Sequence, residues 1–177
     1  LLWRGNRKHL SIEAIRDSLL SVSQQLDPTP RGRAGQLWSE GYTRRRAIYG
    51  YINRFNLDPT LRAFDFPTPV QSQPKRGESI VAPQTLFTMN APFVIDQTVA
   101  IIETSEFREC TTDEERVDAL FGLIFQRTPA PLETERVLKF VELQSRFTTP
   151  NDLKRRASKW PLVAQSLMMS NEFQYID

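Results

Sequence analysis

Twelve prolines are spread along 177 residues, and nearly every stretch with helical patterning is opened or closed by one. Proline fixes φ, carries no N–H and breaks a helix interior, yet it fits the first helical turn. The chain therefore reads as a series of helices cut to length. Asp27-Pro28-Thr29-Pro30 stops a helix over 11–26, capped by Ser11, whose apolar residues at 12, 15, 19, 22 and 26 keep the 3.6-residue period. Pro28, Pro30, Gly32, Gly35 and Gly41 mark 27–41 as loop. Pro59, Pro67, Pro69, Pro74 and Pro83 forbid long regular elements over 56–83, apart from a helical turn near 59–64.

After that segment the pattern is helical. Pro83 opens a short helix to Met89, and Pro92 opens another with Ile95, Val99 and Ile102 at i, i+4 and i+7 as its core stripe. Thr112-Asp113-Glu114-Glu115 is a capping-box pattern ahead of Val117, Leu120, Phe121, Ile124 and Phe125. Pro131 starts a helix with Val137, Phe140, Val141 and Phe147 on one face, and Thr149-Pro150-Asn151-Asp152 begins a short basic turn or helix. A last helix covers 159–170, with Pro161 in its first turn and Leu162, Val163, Leu167 and Met168 following. The aromatic and β-branched run 45–55 predicts a strand, with Ile48, Gly50 and Ile52 on one face and Tyr49, Tyr51 and Phe55 on the other. Ile80 and Val81 add a short second strand. The expected fold class is mainly α, a multi-helix bundle with a long proline-rich irregular segment and at most a small two-stranded β element. One helical domain is expected over 1–177, with a sub-boundary near 75–90. The first residue is Leu1, and the chain is read as a piece of a longer protein.

Rare residues exclude much chemistry. One cysteine, Cys110, and one histidine, His9, fall short of the roughly four ligands of a structural zinc site, and no C-x-x-C-H motif attaches haem. A Cys–His or Ser–His–Asp centre would hang on His9, which sits in Arg7-Lys8-His9 and reads as part of a solvated basic stretch. No G-x-S-x-G elbow and no glycine-rich phosphate loop occurs. No apolar run approaches the ~20 residues of a membrane span. What remains is carboxylate chemistry. Asp65, between Phe64 and Phe66 in the proline-rich segment, is the best lone candidate, because desolvation there would raise its pKa. The favoured reading makes it a turn or capping aspartate, or the partner of Arg45, Arg46 or Arg76. Those four residues form the candidate binding set; no catalytic or metal-ligating residue is assigned. Arg16-Asp17 reads as structural.

Charge is unevenly spread. Residues 1–76 hold 13 basic against 6 acidic residues, and 77–177 hold 10 against 15. Eighteen of the 23 basic residues are arginine, whose planar fork pairs bidentately and stacks on rings. Arg44-Arg45-Arg46 with Tyr42, Tyr49 and Tyr51 could serve a nucleic acid. The favoured alternative has the basic half docking on the acidic half or facing solvent.

Several stretches together resemble a known family. They are Leu2-Trp3-Arg4, Ala14-Ile15-Arg16-Asp17-Ser18-Leu19-Leu20, Arg45-Arg46-Ala47-Ile48-Tyr49, Phe64-Asp65-Phe66-Pro67, residues 81–94 (VAPQTLFTMNAPFV) and residues 170–177 (SNEFQYID). The resemblance is to the planctomycete-specific C-terminal domain of unknown function found in large exported proteins with a cytochrome-c-like domain. The family typically has a G-R-x-P turn between two late helices; here it reads Gln126-Arg127-Thr128-Pro129. The resemblance implies an exported or periplasmic setting and haem only in an upstream domain, with no cofactor in this chain. It implies partners among the upstream domains of the same polypeptide and other exported proteins, and it argues against nucleic acid. The expected function is a non-catalytic structural or protein-interaction module. The alternative is part of a carboxylate-based enzyme acting on polysaccharide, its site completed by upstream domains.

Overall fold

Proline sets the helix starts. The computed structural model describes residues 7–77, 79–147 and 159–176. Along the chain run β1 (Lys8–His9), α1 (Ile12–Val22), a 3-10 turn (Ala47–Tyr49), α2 (Pro59–Ala63), α3 (Ala82–Asn90), α4 (Pro92–Ile102) and α5 (Ser105–Arg108). They are followed by α6 (Asp113–Phe125), α7 (Pro131–Phe147), α8 (Lys159–Met168), α9 (Asn171–Gln174) and β2 (Tyr175–Ile176). Pro59, Pro92 and Pro131 are first residues of their helices, where the missing N–H would have had no partner. The mainly α class is as expected. The basic turn expected from Thr149 and the family-like Leu2-Trp3-Arg4 lie outside the described residues.

Helices α4, α6, α7 and α8 form the body, with α4 packed along α8, and α6 and α8 each against α7. The capping box forms: Thr112 Oγ1 accepts from Glu115 N at 3.2 Å, and Glu115 Oε2 accepts from Thr112 N at 3.2 Å and Thr111 N at 2.7 Å. Val117, Leu120, Phe121 and Ile124 then turn inward, all buried. α6 ends at Phe125, and its C-cap Gln126 is left-handed at φ 56, a conformation that favours glycine. Next to it, Arg127 makes bidentate pairs with both Glu133 and Glu172 at 2.7–2.8 Å, tying the end of α6 to α7 and α9. Arg127 holds the Glu133 carboxyl down at about 2, well below its ordinary 4.5.

The predicted strand over 45–55 is replaced by the 3-10 turn Ala47–Tyr49 and extended chain without a ladder. The cause lies in α1. Arg16, 1% exposed, donates Nε to Leu37 O at 3.0 Å, Nη1 to Arg45 O at 2.8 Å and Nη2 to Thr43 O. Asp17 Oδ1 accepts from Ala47 N at 2.7 Å. Carbonyls and amides that a sheet partner would use are thus taken by two side chains, as their structural reading requires. Gly50 has a packing reason: a Cβ there would lie 2.3 Å from Leu37 Cδ2. The two-stranded element lies elsewhere, pairing β1 antiparallel with β2, Lys8 opposite Ile176 and His9 opposite Tyr175. Val81 serves as the N-cap of α3, so no strand forms at 80–81.

Two helix readings also shift. α1 stops at Val22, short of residue 26, because Gln24 turns left-handed (φ 57) in a Schellman closure, Gln25 N donating to Leu20 O at 2.8 Å and Gln24 N to Ser21 O at 3.0 Å. In α4 the inward row is Phe93, Val94, Gln97, Thr98 and Ile101, whereas the expected stripe residues Ile95 and Val99 are 40% and 37% exposed. Apolar residues occupy both faces of α4, so periodicity could not choose between them. Polar bonds chose: buried Gln97 Nε2 donates to Tyr42 Oη at 3.0 Å, and its Oε1 accepts from Ser23 Oγ at 2.8 Å. No single helix among the described residues is long and apolar enough to cross a membrane.

Two substitutions check this architecture by denaturant melting. Leu120→Ala is expected to cost about 2–5 kcal/mol, as fully buried leucines do. Arg16→Met strands three carbonyls and is expected to cost roughly 3–5 kcal/mol, while Arg108→Met, 66% exposed, stays within about 0.5 kcal/mol.

Candidate functional site

Asp65 and Arg76, two of the four candidate binding residues, line one cleft of about 270 Å³. β1 and the two residues after it, Phe64 and Asp65 following α2, residues 75–77, Ser79 and Gln84 of α3 line it. The elements meet through side chains that bond to backbone. Gln84 Nε2 donates to Ala63 O at 3.0 Å and Ser79 O at 2.9 Å, and its Oε1 accepts from Val81 N at 3.3 Å. Arg76 forms a bidentate pair with Glu13 of α1 at 2.6 and 2.8 Å and covers the Phe66 ring at 5.0 Å. The proline-rich segment is stapled to α1 by that pair. Burial works against the Glu13 charge, but Arg76, the helix backbone and Ser11 together outweigh it and the carboxyl titrates below its ordinary value.

Asp65 follows α2 in a left-handed turn (φ 53), and its Oδ2 accepts from both Ser79 N at 2.6 Å and Ser79 Oγ at 2.7 Å. Those bonds pull its pKa down, opposite to the rise that a desolvated acid would show. Its partner is Ser79 rather than an arginine. A Cβ at Gly77 would come within 3.1 Å of Asp65 Cγ, so the loop closes tightly over the carboxylate.

Arg45 and Arg46 lie elsewhere, on the loop that Arg16 clamps. The Arg45 guanidinium donates to the carbonyls of Arg31 and Arg33 and stacks 4.6 Å from the Tyr49 ring centre. Arg46 Nε sits 3.6 Å from Asp17 Oδ2 with its side chain 64% exposed. The structure thus divides the four residues into two places.

The sequence reading missed His9 and Lys75 as cleft residues. His9 is positioned by β1, its ring edge-on to Tyr175 at 4.9 Å. The strand pairing that places it joins opposite ends of the chain, and two residues per strand leave no periodic signal. Cys110 has a thiol pushed up by burial and by nearby Glu115, so it is protonated at neutral pH. Among the described residues no group of three or more His, Cys, Asp or Glu side chains is placed to hold a metal ion.

Among known families, PSD1, described as "Protein of unknown function (DUF1553)", has a model that matches residues 1–141. No curated protein and no solved structure matches the chain.

The Ser79 bonds have a titratable consequence. Carboxyl-carbon NMR is expected to place the Asp65 midpoint below 3.8, and Ser79→Ala to move it back toward that value. Because the folded value is the lower one, the bond's contribution to stability is complete above pH ~5 and is lost as pH falls through the folded midpoint. A wild-type midpoint at or above 3.8 would contradict the geometry.

Proposed function

Because the chain belongs to the PSD1 family of proteins of unknown function, we propose that it is a non-catalytic structural or protein-interaction module. In this reading it is a helical C-terminal piece of a larger exported or periplasmic protein with a cytochrome-c-like domain. Haem resides in an upstream domain, and the partners are upstream domains of the same polypeptide and other exported proteins. The observation that carries the interaction role is a fixed loop with apolar side chains outward: Ile48 is 78% and Phe55 87% exposed. Hydrogen bonds to Arg16, Asp17 and Gly35 hold the backbone on either side of Ile48. A fixed exposed surface loses little entropy on association.

The enzyme reading has the 270 Å³ cleft in its favour. Against it, Asp65 is an ionised acceptor engaged by Ser79, and Arg76 is engaged by Glu13. Neither is poised to move a proton near neutrality. The exported setting and the haem-bearing neighbour rest on the family resemblance of the quoted stretches.

Purified 1–177 and its Asp65→Asn variant are expected to leave a panel of glycan and ester substrates unchanged. Turnover by the wild type that Asp65→Asn abolishes would replace this reading with the carboxylate enzyme.

A further inference from the structure

Residues 28–55 carry six arginines and one acid, Glu40, while the rest of the chain sums to a negative balance. Two arms of this loop lie side by side. Gly35 N donates to Tyr49 O, Tyr51 N to Gly35 O and Thr43 N to Gln36 O, at 2.8–3.1 Å. Arg45 works inside the loop, bridging the 31–33 turn to the second arm. The other five, Arg31, Arg33, Arg44, Arg46 and Arg54, are exposed, as are Ile48, Tyr51 and Phe55. Phe55 is held at a turn where Asn53 Oδ1 accepts from Phe55 N at 3.0 Å and Asn56 N at 3.3 Å, and the Arg54 guanidinium lies 5.2 Å from its ring centre.

Four carboxylates flanking the loop already have donors. Asp17 accepts from Ala47 N, Asp27 from Thr29 N, Asp58 from Trp38 Nε1 and Thr60 N, and Asp96 from Tyr42 Oη. Arg46 leans toward Asp17 but stays exposed. Exposed arginine interleaved with aromatic and aliphatic groups matches the composition of protein interface centres. A nucleic acid would need free ring faces. Of the three tyrosines here, Tyr49 has its face covered by Arg45 and Tyr42 packs edge-on to Phe93 at 4.9 Å, which leaves only Tyr51 exposed.

We propose that residues 28–55 form a docking surface for an acidic polypeptide segment bearing aromatic or aliphatic side chains, carboxylates meeting Arg44 and Arg54 while apolar groups cover Ile48 and Phe55. The proposal rests on the interaction-module reading and names the chemistry of the partner. Opposite charge steers the encounter, and the apolar contact sets the off-rate.

The test is fluorescence anisotropy of chain 1–177 with a labelled synthetic peptide of repeated Asp-Glu-Leu-Phe, alongside poly-glutamate and single-stranded DNA of matching length. Saturable binding to the mixed peptide is expected, tighter than to either comparator. Charge reversal by Arg44→Glu with Arg54→Glu is expected to weaken it roughly tenfold or more, and Phe55→Ser with Ile48→Ser by about fivefold. Lys139→Glu, on α7, is the control and is expected to change nothing. Unchanged thermal melts show that the exposed substitutions leave the fold intact, and the two pairs of variants test charge and apolar contact separately. Equal affinity in all variants overturns the proposal. So does DNA or poly-glutamate binding as tightly as the mixed peptide with Phe55→Ser and Ile48→Ser ineffective, which marks a general polyanion surface. Loss of the peptide without turnover of any substrate removes this docking surface alone, whereas turnover removes the module reading whatever the peptide does.

Discussion

A guanidinium sealed inside the molecule organises the first third of the chain. Arg16 is 1% exposed, and its donors face three carbonyls from separate points of the following loop, Leu37, Thr43 and Arg45, and the Asp17 carboxylate. The Phe93 ring of α4 lies 5.4 Å from its carbon. Burial pulls the Arg16 pKa down, yet arginine keeps its charge at ordinary pH. A buried charge is tolerated only when its donors are satisfied, so the loop must return to the same three carbonyls each time the chain folds. Asp17 adds the Ala47 amide and the Arg46 side chain. A strand over 45–55 would compete for these groups, and the buried charge wins.

Less deeply buried arginines make similar ties at other places where proline has cut the helices short. Arg76 staples the proline-rich segment to α1 through Glu13, Arg45 joins two arms of the loop, and Arg127 gathers the ends of α6, α7 and α9. Glutamine plays the neutral part: Gln84 holds Ala63, Ser79 and Val81, and Gln165 of α8 donates to two carbonyls in the last turn of α3, Thr88 and Met89, at 3.0 and 2.8 Å. Short helices bury little surface each, and irregular segments present many backbone groups that need partners. Planar side chains with several donors meet both needs. The arginine-rich composition is thereby a folding feature.

Legibility followed the range of the interactions. Helix starts were readable because capping and proline chemistry act within four residues, as at Ser11, Pro92, Thr112 and Pro131. The structural reading of Arg16-Asp17 agrees with the fold, but their partners lie up to thirty residues on and carry no local signature. The inward face of α4 was misread for a related reason. Ile95, Val99 and Ile102 keep the helical period as well as Phe93, Val94 and Ile101 do, and the choice was made by Gln97 reaching Tyr42 and Ser23. In the cleft, Asp65 was readable as a turn aspartate, whereas Ser79 as its partner and His9 as its neighbour depend on how distant segments meet.

The ties that make the fold also shape its surface. Arg45, Arg76 and Arg127 spend their donors internally, so the charge presented outward comes from arginines whose side chains stay exposed. Arg31, Arg33, Arg44, Arg46 and Arg54 all belong to the loop whose backbone Arg16 and Arg45 immobilise. In a loose loop the ordering of these long side chains and of the backbone beneath them would oppose association. Here the backbone portion of that cost is met during folding, by a charge buried against Leu37, Thr43 and Arg45. The position of Ile48, one residue beyond the amide that Asp17 holds, therefore links the interior of the protein to the chemistry of the surface it offers.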